Sequence, residues 1–374
     1  MTFVRDFLRR ELFILEGAVK MKLSMNQKFL VRNFIVFFLG CLFTSPLFAQ
    51  EQLGKLVVND LTLRPQGYYL ERQQGEFELG ESSVGLLWEL DDQLSSQFRI
   101  GAHSLRGKPR LYLDSKNGND IDLVEAYGQY QGLLGRIRIG LIPLELGREG
   151  TLPESELIFP RSQIYSQGLF GLRDLGINYF INYNRFFTAL TAFNGESDSN
   201  KDQKTWYGAR WGYDFAKLRV EAFGQTGSTS PLSTTGSLLN VARFDPTKDS
   251  KWRMGGLYAD WRPSNFVVSL EGVVGDMEQL AATHRFASAT IDMGQIGGRG
   301  LGYFFRYNPF DPDVRRDNDA IHRISLAVVK ANSSLTSKVI LIGSKVMEEG
   351  GSQVANDEIR LIWSLTPLYF PPRN

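Results

Sequence analysis

Eight arginines have the type and spacing to bind one kind of ligand together. They are Arg136, Arg138, Arg148, Arg161, Arg173, Arg210, Arg219 and Arg306. A guanidinium group stays charged at physiological pH and binds phosphate or carboxylate through two parallel hydrogen bonds. Arg136 and Arg138 lie two residues apart, which in a strand puts both side chains on one face, roughly 7 Å apart. The set predicts a constriction that attracts anions.

Catalytic chemistry finds little support in the sequence. The three histidines, His103, His284 and His322, are far apart and lack metal-ligand spacing. No Gly-x-Ser-x-Gly elbow is present, and the glycine-rich residues 294–302 lack the strand-then-helix context of a dinucleotide site. We therefore expect no catalytic residue, no metal and no cofactor.

The elements that must position the arginines are strands with two different faces. Polar and apolar residues alternate with a period of two in Arg136–Leu141 and again in Leu175–Tyr183. Between them, Pro143–Arg173 is rich in Glu, Arg, Pro and Gly. Loops longer than about 12–15 residues are uncommon and usually functional. We interpret these residues as two strands of a barrel wall and a long loop folding into the lumen.

The rest of the chain repeats this pattern of short alternating segments. Turns of two to four residues, such as Ala216–Lys217 and Pro263–Asn265, separate hairpin strands, whereas Glu196–Lys204 and Gln225–Lys251 are long and polar. Short periplasmic turns and long external loops are typical of bacterial outer-membrane barrels, whose strand number is even. Fourteen strands are clear, and two near the N-terminus, around Tyr68 and Phe77, are indistinct. The prediction is an all-β fold, a transmembrane antiparallel β-barrel of about 16 strands.

The N-terminus resembles an export signal. A short basic region from Met25 precedes the apolar residues Phe34–Phe43, and small residues near Ala49 allow cleavage. We expect residues 1–49 to be a signal peptide with an upstream start-site extension, and residues 50–374 to be the barrel. Removing the signal leaves 42−7 = 35 basic and 41−3 = 38 acidic residues, so a nucleic-acid-binding role is not expected. It also removes Cys41, the only cysteine.

Strand phase predicts which charges line the lumen. With the more apolar set of each strand facing lipid, ten basic residues and six acidic residues point inward. The basic residues are Arg99, Arg136, Arg138, Arg210, Lys217, Arg219, Arg262, Arg306, Arg323 and Arg360, and the acidic ones are Glu89, Glu125, Asp214, Asp260, Glu271 and Glu358. Charges that line a pore bias which ions enter it. The alternative for each arginine is a structural ion pair, and Glu125 could neutralise Arg136 or Arg138.

Several short motifs, in this order, resemble the phosphate-selective porin O and P family. They are Gly140–Glu145, Phe159–Ser162, Arg173–Gly176, Ala192–Gly195, Arg306–Asp313 and Ile359–Leu361. The resemblance covers about Val124 to the end. It implies a sixteen-stranded barrel, usually trimeric, with a constriction loop and an anion-passing pore lined by Arg and Lys. This chain differs in lacking a lysine-rich entry funnel and in carrying four glutamates in Pro143–Arg173.

The resulting hypothesis is a porin of the bacterial outer membrane. It would let small hydrophilic solutes diffuse passively, with a preference for anions such as phosphate. It would form a homotrimer surrounded by outer-membrane lipids. Two alternatives remain open at this point. One is a plugged structural or adhesive barrel, and the other is an outer-membrane enzyme that modifies lipid.

Overall fold

The computed structural model describes residues 54–71, 75–102, 105, 121–166, 168–195, 203–229, 248–280, 282–350 and 357–369. The predicted signal peptide, His103 and most of the two predicted external loops lie outside these residues. The loop predicted at Gln225–Lys251 is shorter than expected. The strand before it continues to Thr229, and the strand after it already begins at Ser250.

Eighteen strand segments make up nearly all of the described chain. They are β1 (Lys55–Leu63), β2 (Gln66–Leu70), β3 (Glu76–Glu78), β4 (Ser83–Glu89), β5 (Leu94–Ala102), β6 (Ile121–Gly132), β7 (Gly135–Pro143), β8 (Arg173–Tyr183), β9 (Phe186–Phe193), β10 (Trp206–Asp214), β11 (Leu218–Thr229), β12 (Ser250–Trp261), β13 (Phe266–Gln279), β14 (Ala282–Ile296), β15 (Leu301–Asp311), β16 (Ile321–Ala331), β17 (Ser337–Glu348) and β18 (Glu358–Tyr369). Between β7 and β8 lie two short helices, α1 (Gly147–Thr151) and α2 (Gln163–Ser166), and a 3₁₀ turn at Glu154–Glu156.

These segments form one closed antiparallel barrel of sixteen strands. From β4 to β18 each strand pairs with its sequence neighbour, β2 pairs with β3, and β1 closes the ring by pairing with both β18 and β4. The first two wall strands are each broken in two. β1 and β2 both pair with β18, and the break between them falls at Pro65, which has no N–H to donate to the ladder. The predicted fold class and strand number are confirmed.

One wall strand escaped the sequence analysis. β14 lies within Leu280–Gly300, where polar and apolar residues alternate only weakly, yet it pairs with β13 along fourteen residues. Its inner face carries Ser288, Thr290 and Asp292, while its outer face includes Ala287 and Ala289. Small residues on both faces give little contrast in hydrophobicity, so the period of two is weak.

The two faces of the wall differ as a bilayer requires. On β12, Trp252, Met254 and Tyr258 are buried, whereas Leu257 and Trp261 are exposed. Alternate side chains of a closed barrel point inward and outward, so the exposed apolar set is the outer face. An apolar band flanked by aromatic residues suits the hydrocarbon core and its interfaces. The helices of the described residues are too short to cross a membrane.

Candidate functional site

Four arginines line one patch of the inner wall, which we name the arginine row: Arg136, Arg138, Arg210 and Arg219. Arg136 and Arg210 lie in one cross-strand register, separated by Phe180 and Ala189 of β8 and β9. The guanidinium carbon of Arg136 lies 4.8 Å from the Phe180 ring centroid. Arg210 contacts the rings of Phe180 and Phe187, Arg219 lies 4.3 Å from that of Phe187, and Arg138 lies over Tyr127. Aromatic faces attract guanidinium groups, so these rings help to orient the row.

A single carboxylate, Glu145, joins three members of the row. Its Oε1 accepts a hydrogen bond of 2.7 Å from Arg138, and its Oε2 pairs with Arg210 and lies 3.9 Å from Arg136. Burial alone would raise the pKa of the Glu145 carboxyl, but the guanidinium groups of Arg210, Arg138 and Arg136 hold this pKa well below its usual range. Glu145 therefore stays ionised and offsets part of the positive charge of the row.

Glu145 belongs to the chain between β7 and β8, residues 144–172, which we name the inner segment. Its first helix is held by a buried charge cluster on distant strands. Asp292 of β14 accepts two hydrogen bonds from Arg306 of β15, at 2.6 and 2.7 Å, and one of 2.7 Å from Arg148. Arg306 also lies 2.8 Å from Glu149. Arg148 and Arg306 thus act as anchors of the inner segment rather than as part of the arginine row.

Further along the inner segment, hydrogen bonds connect it to the opposite side of the wall. Arg64, at the break between β1 and β2, donates to the carbonyl of Leu157 at 3.1 Å. Lys338 of β17 donates to the carbonyl of Ser155 at 2.8 Å. Arg161 pairs with Glu81 at 3.2 Å, beside the second broken strand. The inner segment therefore contacts inward-facing side chains both of β14 and β15 and of the strands near the closure of the barrel.

Apolar packing adds to these contacts. Leu144, Leu146, Ile164, Tyr165 and Phe170 of the inner segment pack against buried wall residues, which include Trp206, Phe223, Trp252, Met254, Tyr258, Phe286 and Phe310. A second cluster joins Phe159 to inward-facing residues of β16, β17 and β18. The inner segment therefore packs against inward-facing residues of β9–β15.

One predicted pairing is corrected by the structure. Glu125 does not neutralise Arg136 or Arg138. It binds Arg173 at 2.9 Å and Arg99 at 3.3 Å. The residues of β6 opposite Arg136 and Arg138 are Gln131 and Gln129, so Glu125 is displaced along the barrel from both. Arg173, the last of the eight predicted site residues, is thus also placed apart from the arginine row.

Several charged residues of the inner wall were missed in the sequence, and four of them are Glu221, Asp292, Arg64 and Lys338. Glu221 lies two residues after Arg219 and pairs with it at 3.2 Å, and the period of two alone could have revealed it. Asp292 was hidden by the weak pattern of β14. Arg64 and Lys338 carry no sequence signal, because their partners are backbone carbonyls of the inner segment. With these four residues included, the predicted ten basic against six acidic residues become twelve against eight, so the positive excess stays at four.

Among the described residues, no three His, Cys, Asp or Glu side chains are grouped so as to hold a metal ion. No protein-family model and no curated protein sequence matches the chain.

Solved structures match over most of the length. The trimer form of OmpT, an outer membrane protein of Vibrio cholerae, has a TM-score of 0.62 at 11% identity, covering 84% of this chain and 99% of that one. An anion-selective porin from Comamonas acidovorans has a TM-score of 0.59 at 12% identity, with coverage of 84% and 99%. The outer membrane channel DcaP of Acinetobacter baumannii has a TM-score of 0.57 at 9% identity, with coverage of 85% and 99%. The chain therefore has the fold of outer-membrane porins.

Proposed function

We propose that the chain is a porin of the bacterial outer membrane. It lets small hydrophilic solutes diffuse passively, with a preference for anions such as phosphate, and it catalyses no reaction. We also propose that it belongs to the phosphate-selective porin O and P family and forms a homotrimer. The sequence motifs support the family, and the similar fold of a protein solved in a trimer form supports the assembly.

The arginine row is the observation that carries the proposal. Four guanidinium groups share one patch of the inner wall with three carboxylates, which are the partly buried Glu145, the fully buried Glu221 and Asp214 at the edge. The side chain of Arg219 is 34% exposed, so part of the row is open to solvent. Low-dielectric walls focus the field of such charges and raise the local concentration of anions. A net positive patch beside the passage lowers the barrier for anions and raises it for cations.

The inner segment narrows the passage in this proposal. Its contacts with the inner faces of β14–β18 support a path across the lumen, and Glu145 brings its first residues against the arginine row. Solutes would then pass beside Arg136, Arg138, Arg210 and Arg219. Arg148, Arg161, Arg173 and Arg306 would shape the constriction by holding the inner segment and the wall.

The proposal is tested by replacing Arg136 and Arg138 together with Gln, which removes two charges and keeps similar size and polarity. In a salt gradient across a planar bilayer, the reversal potential should move toward cation preference. The shift should be largest at low ionic strength, where the Debye length is about 30 Å at 0.01 M salt. The control is Lys330→Gln on the outer face of β16, which should leave the reversal potential unchanged. If the double variant keeps the parental reversal potential and a normal conductance, Arg136 and Arg138 only stabilise the barrel wall and do not set its ion selectivity.

A plugged structural barrel is the second candidate, favoured by the apolar packing of the inner segment against β9–β15. A plug would give no conductance in the same bilayer, whereas a porin gives discrete current steps. An assay of lipid hydrolysis on the same preparation separates both from a lipid-modifying enzyme.

A further inference from the structure

The outer face of β11–β14 is arranged in cross-strand rows of different chemistry. The row nearest the long-loop end is Ser228, Lys251, Glu278 and Thr283, and the next is Thr226, Arg253, Asp276 and Arg285. Toward the short-turn end, the next row is Gly224, Gly255, Val274 and Ala287. The row after it is Ala222, Leu257, Gly272 and Ala289. Two charged rows thus stand directly above two rows of mostly small residues.

The small residues leave a recess in the wall, which we name the outer groove. A cavity of about 620 Å³ is lined by Arg253, Gly255, Val274, Asp276 and Arg285, among others, so it spans a charged and a small-residue row. A second hollow of about 830 Å³ continues below it over Ala222, Leu257, Gly272 and Ala289.

The fold itself does not require a glycine in this groove at position 272. A Cβ atom added to Gly272 would meet nothing within 4 Å, and its backbone is not in the left-handed region. Glycine inside a strand destabilises by roughly 0.5–1 kcal/mol relative to alanine. At this position, within the recess and below the charged rows, the missing side chain leaves room for an external occupant that approaches the backbone closely.

The charged rows lie at the height of lipid headgroups. Trp261, beside the short Pro263–Asn265 turn, is exposed on the outer face, where tryptophans mark a membrane interface. Arg253 lies eight residues before Trp261 in β12. With the strand tilt of such barrels, this separation corresponds to about 20 Å along the membrane normal. The apolar band is about 25 Å tall, and an arginine side chain can extend to the interface.

We propose that the outer groove binds a membrane lipid with an anionic phosphate headgroup in the leaflet that faces the long loops. The phosphate binds the guanidinium groups of Arg253 and Arg285, and an acyl chain lies in the recess over Gly255 and Gly272. This inference is independent of the channel function, because every residue named points away from the lumen.

Charge supports this occupant over an apolar one. The charged rows carry more cations than carboxylates. The cations are Lys251, Arg253, Arg285 and Arg315, and the carboxylates are Asp276 and Glu278. Arg315 joins the rows by donating to the Thr283 carbonyl. The side chain of Arg253 is 68% exposed and lies 3.8 Å from Glu278, beyond hydrogen-bond distance, so its donors can reach a phosphate. The order along the strand, cationic and then recessed and apolar, is the order of a lipid with its head toward the interface.

Native mass spectrometry of the full barrel in detergent tests the proposal, with phosphatidylglycerol as probe and zwitterionic phosphatidylcholine for comparison. The protein should bind phosphatidylglycerol more tightly. Arg253→Gln with Arg285→Gln should weaken that binding by roughly tenfold or more, since each basic side chain near an anionic headgroup adds about fivefold. Gly272→Leu should weaken both lipids by filling the recess.

Matched controls come from β17, whose outer face places Gly343 two residues before Lys345. Gly343 also has open space for a Cβ atom, and the side chain of Lys345 is exposed. Gly343→Leu and Lys345→Gln should leave phosphatidylglycerol binding unchanged, and all variants should keep the parental conductance. Equal binding by the arginine double variant and the parent would overturn the proposal. Loss of the oligomer in Gly272→Leu with lipid binding intact would also overturn it, and would make the outer groove a contact between copies.

Discussion

At the residue scale, Glu145 decides how much positive charge the inner wall presents. Its backbone is in the left-handed region at φ 53°, which is uncommon for a residue other than glycine and occurs where surrounding contacts impose it. Here the contacts are the ion pairs with Arg138 and Arg210. Because its pKa is depressed, the stability from these pairs is present above the unfolded-state pKa and is lost only as the pH falls through the lower folded-state pKa. Glu145 should therefore neutralise part of the charge of the arginine row throughout the physiological pH range.

Glu145→Gln should increase anion preference, because it removes the carboxylate shared by three arginines. The expected observation is a reversal potential shifted toward anions at neutral pH, opposite in sign to the shift in the double arginine variant. Glu156→Gln, which removes a carboxylate paired with the half-exposed Arg262, should give a smaller change. A cationic shift in Glu145→Gln would mean that Glu145 chiefly positions the arginines.

At the element scale, the inner segment is joined to the wall by charge at α1 and by apolar packing at α2. Asp292 is the centre of the charged contact, since it binds arginines from both the wall and the inner segment. Removing one partner from a buried ion cluster leaves an uncompensated charge and destabilises by about 3–5 kcal/mol. The inner segment should therefore respond sharply to single substitutions there.

Arg306→Met tests that expectation. We expect a lower thermal unfolding temperature and single-channel currents that fluctuate, because Asp292 and Glu149 lose their shared cation and the inner segment loosens. Arg262→Gln is the matched control, since Arg262 pairs with Asp260 and Glu156 but its side chain is 43% exposed. Steady currents and an unchanged unfolding temperature in Arg306→Met would contradict the anchoring role.

The phase of β18 can be tested in the same way. Leu361 and Trp363 are exposed on its outer face, as the period of two predicts, whereas Ile362 is buried against the cluster around Phe159. Leu361→Arg should impair folding into lipid vesicles, because an arginine facing mid-bilayer lipid costs about 2–4 kcal/mol. Ser95→Arg is the inward control, since Ser95 is only half-buried and lies opposite Glu89. Equal folding yields for the two variants would mean that the outer and inner faces are assigned wrongly.

At the scale of the whole molecule, the barrel has two unlike rims. Its short connections include residues 133–134, 184–185 and 215–217, while the inner segment and residues 312–320 leave from the other rim. Single-chain outer-membrane barrels place short turns in the periplasm and long loops outside. The orientation in the membrane follows from this difference.

Cysteine labelling on intact cells tests the orientation. With the predicted signal peptide removed, the chain has no native cysteine, so an impermeant thiol reagent reports only the introduced one. Asp317→Cys, in the exposed connection between β15 and β16, should be labelled, whereas Ser333→Cys, in the turn between β16 and β17, should react only after the cells are opened. The reverse pattern would invert the topology.

The sequence by itself determined the barrel, because alternation with a period of two is a local property of each strand. It also placed Arg136, Arg138, Arg210 and Arg219 on the inner face by phase alone. It did not determine β14, whose two faces differ too little in hydrophobicity, nor the breaks in the first two strands. Only the tertiary structure decided that Glu145 rather than Glu125 pairs with Arg138, and that Asp292 anchors Arg148. Those pairings depend on the path of the inner segment, whose contacts lie as many as 183 residues away along the chain.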